Sequence, residues 1–245
     1  SGKTVTAIIA TEEHILSGGN VVILVPSEPL LDQWDEELEK FLPRIDRGLL
    51  GGGHKESGIL DEMRISSSEG SILISTIQSF RQEKTLRKLD RLLNSKENSV
   101  LLIVDECHRI GSDSYTKICE KKFTKTLGLS ATPVRQGDPE GTDRIFGLLG
   151  NIIHRYSLKD ALDDGHLSPF SYHISTVHLD LDEQNRYDKL REEIKKVYAS
   201  QSSKDEVSDY LKILIFKSRR IIRGARGKID STLSIVNSNY KIGQH

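Results

Sequence analysis

Val100-Leu101-Leu102-Ile103-Val104-Asp105-Glu106-Cys107-His108 joins an apolar run to two adjacent carboxylates. Five apolar residues in a row show neither the alternation of a half-exposed strand nor the stripe of a surface helix. A run apolar on both faces suits a central strand of a parallel sheet. Asp105 and Glu106 follow at its carboxyl end, where charge beside a buried strand is costly unless a cation is near. A Mg²⁺-bound nucleotide is such a partner. Asp105 would hold the metal, and Glu106 would orient or deprotonate an attacking water. The same pair also reads as an acidic turn capping the next helix.

Other short runs lie on either side. Val21-Val22-Ile23-Leu24-Val25 stops at Pro26, Ser71-Ile72-Leu73-Ile74-Ser75 makes another, and Thr126-Leu127-Gly128-Leu129 is a shorter fourth. Helical patterns occupy residues 5–17, 30–41, 85–93 and 114–121. This alternation predicts an α/β fold with a doubly wound parallel sheet. Ligands of such sheets gather beyond the carboxyl ends of the strands. Ser1-Gly2-Lys3-Thr4 matches the last four positions of a Gly-rich phosphate loop. There Gly turns backbone N–H groups inward, Lys reaches the β- and γ-phosphates, and the hydroxyl ligates Mg²⁺. Four residues at a terminus are also an ordinary solvated turn. Ser130-Ala131-Thr132-Pro133 comes 25 residues after Asp105, again behind an apolar run, and alone reads as a Pro-closed turn. All three segments in one order at one sheet edge are far more specific than any one of them.

Composition narrows the class. The chain has 245 residues, of which 36% are apolar and 29% charged, so a core is expected and wholesale disorder is not. A net charge of −1 excludes a polycation but leaves room for a local basic stripe. Cys107 and Cys119 cannot build a disulfide framework and suit a reducing, cytoplasmic compartment. No apolar run approaches the ~20 residues that span a bilayer, so no membrane partner is expected. His54, His154, His166, His173 and His178 lack metal-ligand spacing with the cysteines, so no structural zinc is expected. Trp34, the sole tryptophan, falls at helical spacing with Leu30, Leu31 and Leu38 and reads as core rather than a base-stacking platform.

The pattern changes near residue 170. Residues 1–170 hold 21 basic and 26 acidic side chains, and residues 171–245 hold 14 and 10. Alternation over Tyr172–Leu181 predicts a strand. Residues 183–200 and 205–229 predict long helices, with a loop at 201–204. Seven basic residues and no acidic one lie between Lys212 and Lys228. Arg219, Arg223 and Arg226 share one helical face, with Leu211, Leu214, Ile215, Ile222 and Ala225 on another. That face is either a solvated surface or a phosphate-tracking rim on a nucleic-acid path.

Ser-Gly-Lys-Thr, Asp-Glu-Cys-His and Ser-Ala-Thr-Pro together resemble the first RecA-like ATPase lobe of superfamily-2 helicases and translocases, with 105–108 as a DEAH-type box. Leu127–Arg135, Tyr156–Leu162 and Gly165–Phe170 are similar to the group holding XPB-like excision-repair helicases and the helicase subunits of restriction and phage-defence systems. The resemblance implies ATP and Mg²⁺ as cofactors. Ser1, Gly2, Lys3 and Thr4 would bind the nucleotide, Thr4 and Asp105 the metal, and Asp105, Glu106 and His108 would be catalytic. It implies strand contacts at Pro26 and Ser27, at Gly52 and Gly53, and at Thr76 and Gln78, with Arg219 and Arg223 adding to them. Ser130 and Thr132 would couple hydrolysis to motion. Residues 1–170 would be the ATP-binding lobe, cut within its phosphate loop. Residues 171–245 would be a linker, a helical hairpin and the opening of a second RecA-like lobe. The expectation is a fragment, inert alone, of a DNA helicase or translocase acting on duplex DNA. Its partners would be its own second lobe and nuclease or other subunits of a defence or repair complex. A non-motor P-loop enzyme such as a kinase, or a degenerate interaction module, is the alternative. Intact Lys3, Thr4, Asp105, Glu106 and His108 argue against the degenerate form.

Overall fold

The computed structural model describes residues 2–54, 58–65, 70–95, 98–200 and 208–239. Its contacts form two compact units, Ser1–Arg155 and Tyr156–His245. The sequence pattern changes some fifteen residues later, near 170.

In the first unit the strands are β1 (Asn20–Val25), β2 (Arg47–Leu50), β3 (Ile72–Thr76), β4 (Val100–Val104) and β5 (Lys125–Gly128). They form one sheet in the order β2-β3-β1-β4-β5, and every pairing is parallel. Helices α1 (Lys3–Leu16), α2 (Glu28–Phe41), α3 (Ile59–Ile65), α4 (Ile77–Phe80), α5 (Glu83–Leu93), α6 (Thr116–Cys119) and α7 (Pro139–Leu149) complete it. Two short 3₁₀ turns follow β4, Cys107–Arg109 and Asp113–Tyr115, and the second stands where the helix expected over 114–121 was to begin, leaving α6 as its remainder.

Successive strand residues point to opposite faces, and both faces are covered. Val22, Leu24, Leu73, Leu102 and Val104 pack with Met63, Phe80, Leu86 and Ile145. Val21, Ile23, Val25, Ile72, Ile74 and Ile103 pack with Ala7, Leu31, Trp34 and Leu38. Two cores on one sheet explain why β1, β3 and β4 are unbroken apolar runs. Parallel pairing also sets all five carboxyl ends at one edge, so the segments after the strands meet there.

The second unit is helical among the described residues: α8 (Leu158–Asp163), α9 (Leu181–Ser200), α10 (Asp209–Arg223) and α11 (Gly227–Asn239). The strand expected over Tyr172–Leu181 does not form. Tyr172 and Ile174 are 83% and 82% exposed, and no strand of this unit is described that could pair with the segment. Its end belongs to a helix cap instead. The Glu183 N–H donates to Asp180 Oδ1 at 2.8 Å and the Asp180 N–H to Glu183 Oε2 at 3.1 Å, which starts α9 at Leu181. The loop expected at 201–204 and the helix start at 205 lie outside the described residues. The expected single helix to 229 breaks at Gly224. The Arg226 N–H donates to the buried carboxylate of Glu183 at 3.0 Å, and its guanidinium lies 3.4 Å from Asp180. Arg226 therefore leaves the face it was expected to share with Arg219 and Arg223. No helix among the described residues is long and apolar enough to cross a membrane.

Candidate nucleotide site

Gly2 caps α1 with φ 71°, a left-handed conformation that glycine adopts without strain. Lys3 and Thr4 follow in the first helical turn. Lys3 Nζ reaches Glu106 Oε1 at 3.3 Å, although the two are 103 residues apart. Ser1 lies outside the described residues.

The box after β4 is held from several sides. The Asp105 N–H donates to the Leu24 carbonyl at 2.8 Å, continuing the β1–β4 ladder beyond the strand. Asp105 is 8% exposed, and both carboxylate oxygens are engaged. Oδ1 accepts the Glu106 N–H at 2.9 Å, and Oδ2 accepts the indole N–H of Trp34 at 3.0 Å. Glu106 has φ 46° and ψ 51°, and no other non-glycine among the described residues has a positive φ. Such a conformation costs about 1–3 kcal/mol and persists where surrounding contacts enforce it. Here they are Lys3 on Oε1 and His108 Nδ1 at 3.3 Å from Oε2.

His108 Nδ1 also lies 3.2 Å from Ser130 Oγ, which accepts the Thr132 N–H at 3.1 Å. Two main-chain bonds bring this segment to the box: Leu129 N–H to the Val104 carbonyl and Cys107 N–H to the Leu129 carbonyl, both 2.9 Å. Lys3, Glu106, His108 and Ser130 thus form one chain of contacts, with Thr132 joined through its backbone. Cys107 is buried beneath it. Burial, with the Glu106 charge adding to it, pushes its thiol up to about 11, so it is protonated packing and not a nucleophile.

The residues offered as strand contacts form a second cluster on the β2–β3–β1 half of the same edge. Pro26 and Ser27 follow β1, and Ser27 is the N-cap of α2. Gly51, Gly52 and Gly53 follow β2 with φ of 111°, 61° and 85°. A Cβ on Gly51 would sit 2.6 Å from Thr76 Oγ1, and one on Gly52 would sit 3.5 Å from Glu28 Cγ. Thr76 ends β3 and is the N-cap of α4. It is 5% exposed, and its hydroxyl is engaged within α4, accepting the Ser79 N–H and donating to Ser79 Oγ. Gln78 is exposed and accepts from the Tyr115 hydroxyl at 3.5 Å. Arg219 and Arg223 lie exposed on α10 in the second unit.

Three residues missed as participants hold the box in place. Trp34 is one. Arg135, two residues beyond Pro133, donates to the His108 carbonyl at 2.6 Å and to Asp138 at 2.7 Å, while Asp138 caps α7 through the Gly141 N–H. Arg144 donates twice to the Gly111 carbonyl, at 3.0 and 2.8 Å, and once to Asp113 at 2.6 Å. The Ser-Ala-Thr-Pro sequence marks the first of these arginines; no spacing marks Trp34 or Arg144.

The available donors suit Mg²⁺. They are oxygens, the Asp105 carboxylate and the Thr4 hydroxyl. No group of three or more His, Cys, Asp or Glu able to hold a metal occurs among the described residues. Mg²⁺ characteristically takes one or two carboxylates and completes its shell with phosphates and water.

A parallel sheet with a lysine, paired carboxylates and a hydroxyl segment at its carboxyl edge defines the first RecA-like lobe of a superfamily-2 helicase. Residues 1–135 match the family described as "Type III restriction enzyme, res subunit", and the chain belongs to it. It is 28% identical over 186 residues to the DNA 3'-5' translocase XPB2 of Sulfurisphaera tokodaii, covering 75% of this chain and 36% of that protein. It is 34% identical over 155 residues to a putative DNA 3'-5' helicase Rad25 of Haloarcula marismortui, covering 62% and 21%. To the type I restriction enzyme SsaAORF53P endonuclease subunit of Staphylococcus saprophyticus it is 28% identical over 189 residues, covering 72% and 19%. The chain thus spans about a fifth to about a third of these relatives. The Pyrococcus furiosus Hef helicase domain shares the fold, with a TM-score of 0.50 at 21% identity over 91% of this chain and 48% of that one.

Proposed function

We propose that this chain is the nucleotide-binding lobe of an ATP-dependent DNA helicase or translocase, with hydrolysis coupled to movement on duplex DNA. The observation that carries the reading is the meeting of Lys3 and Glu106 at 3.3 Å across 103 residues. ATP with Mg²⁺ supplies the phosphoryl group and the charge that polarises it. Gly2 and Lys3 bind the phosphates, and Thr4 and Asp105 hold the metal. Lys3 would turn from Glu106 to hold a bound phosphate, and the Glu106 carboxylate, so released, would orient the attacking water and accept its proton. His108 stands between Glu106 and Ser130, so Ser130 and Thr132 pass the state of the site onward. Ser27, Gly52 and Gly53 offer backbone N–H groups and a hydroxyl to a strand, with Pro26 shaping that turn. Thr76 and Gln78 are assigned to strand contact as well, and Arg219 and Arg223 to nucleic-acid binding by α10 of the second unit. In Thr76 the hydroxyl must exchange Ser79 for a phosphate.

The relatives called DNA translocases and helicases support DNA as the track. The restriction subunit among them supports a nuclease or other subunits as partners. A second RecA-like lobe would complete the ATP site. The test is ATP hydrolysis by the full-length protein with no nucleic acid, with single strands and with duplex DNA. Duplex DNA should stimulate most. Glu106→Gln should retain nucleotide binding and lose roughly 10²–10⁴ in turnover, since an amide cannot act as base. Parental turnover in that variant, or no response to DNA, would overturn the reading.

A further inference from the structure

Trp34 has the burial of a core residue and the bonding of a site residue. Its indole is 1% exposed in the sheet face that packs Leu31 and Leu38. A buried indole N–H needs an acceptor. The acceptor here is no backbone carbonyl but Oδ2 of Asp105, 71 residues away, at 3.0 Å. Oδ1 is taken by the Glu106 N–H at 2.9 Å. One donor on each oxygen fixes the plane of the carboxylate and leaves each oxygen further acceptor capacity. The ring cannot follow a moving partner, because it is enclosed on the α2 side of the sheet. The direction in which Asp105 presents its free lone pairs is therefore set by α2.

We propose that Trp34 is a positioning residue for the metal: its indole N–H holds the Asp105 carboxylate in the orientation that receives Mg²⁺. The proposal rests on the nucleotide reading above. Partners that orient a ligating carboxylate typically contribute 10–100-fold to metal affinity. An indole that only fills the core would leave metal binding unchanged.

Trp34 is the only tryptophan, so the ¹⁵N-labelled full chain gives one indole N–H signal. With a β,γ-imido ATP analogue present, that signal should move as Mg²⁺ is titrated, and move far less with the analogue alone. Trp34→Phe keeps an aromatic ring and removes the donor. Its binding of a fluorescent ATP analogue should need about 10-fold more Mg²⁺ for half-saturation, while affinity without Mg²⁺ stays at the parental value. A half-saturating Mg²⁺ concentration within twofold of the parent overturns the proposal. So does an equal loss of affinity with and without Mg²⁺, which marks general loosening. Should Trp34→Phe fail to fold, the parent's indole signal decides alone. If it ignores Mg²⁺ while the analogue is bound, the positioning role is wrong and the nucleotide reading stands. If no analogue binds this chain at any Mg²⁺ concentration, the positioning role falls, and the nucleotide reading is decided by hydrolysis in the full-length protein.

Discussion

Adding the same methyl group at Gly111 and at Gly147 should move stability in opposite directions. Gly147 lies on the exposed side of α7, and a Cβ there meets nothing within 4 Å. Gly147→Ala should stabilise by about 0.5–1 kcal/mol, the helix cost of glycine relative to alanine. Gly111 lies in the turn after the DEAH-type box. A Cβ there would stand 2.3 Å from the Gly141 carbonyl oxygen and 2.8 Å from Arg135 Cδ. A backbone oxygen in the first turn of a helix cannot swing aside, so α7 must back away. Overpacking of this kind costs about 1–3 kcal/mol. The retreat also stretches the bonds from Arg144 to the Gly111 carbonyl, each worth about 0.5–1.5 kcal/mol net. Gly111→Ala should therefore destabilise by about 2–4 kcal/mol. Urea unfolding followed by Trp34 fluorescence measures this in the first unit alone, because the sole tryptophan lies there. The midpoint should drop on the order of 1 M, given urea slopes of about 1–3 kcal/mol/M. A Gly111→Ala midpoint at or above the parent's would refute the close seating of α7 on the loop, and with it the account of Arg135 and Arg144 as its fasteners.

Further outcomes follow from the same contacts. Arg135→Lys offers one compact donor group where the guanidinium spans the His108 carbonyl and Asp138, so turnover in the full-length protein should fall while nucleotide affinity holds. Equal losses in both would mean a general structural defect. Ser130→Ala with Thr132→Ala removes a hydroxyl contact worth only about 0.5–1.5 kcal/mol, so folding and basal hydrolysis should survive while DNA stimulation or translocation falls. An unchanged translocation rate would discard the coupling role. His14 is 3% exposed, and burial lowers its pKa below the usual 6.5, aided by nearby Lys125 and opposed by the Ser99 carbonyl. A base with a depressed folded pKa contributes stability above its unfolded value and loses it as pH falls. Urea midpoints should thus decline below about pH 6.5, and less steeply in His14→Gln; parallel declines would clear His14 of responsibility.

What could be read from the sequence follows burial. β1, β3 and β4 are covered on both faces, and their unbroken apolar runs announce it. β2 and β5 lie at the sheet edges. Arg47-Gly48-Leu49-Leu50 carries no strand signal of its own and is a strand because β3 presents a free ladder beside it. Lys125–Gly128 is half exposed, so its signal is weak and its expected span is one residue late. Tyr172–Leu181 fails in the opposite way. The alternation is present, but no partner ladder is described, and Asp180 and Glu183 turn its end into a helix cap.

The site divides along a different line. Asp105, Glu106, His108 and Ser130 stand out in sequence because each is a polar or charged group at or just past the carboxyl end of an apolar run, and Lys3 because Ser1-Gly2-Lys3-Thr4 has the spacing of a phosphate loop's end. The residues that aim them are chemically ordinary in their own neighbourhoods. Trp34 fits the apolar stripe of α2 whether or not its N–H meets a carboxylate. Arg144 fits the surface of a short helix until α7 lies against the Gly111 turn. The left-handed backbone of Glu106 is invisible as well, because its carboxylate is met by residues 103 positions upstream and two positions downstream. Each of these depends on the register between elements distant in the chain, which a local pattern does not encode. Parallel pairing supplies that register. Once Leu24 accepts the Asp105 N–H and Leu129 is bonded on both sides of the box, Trp34, Lys3 and Ser130 have few other places to be.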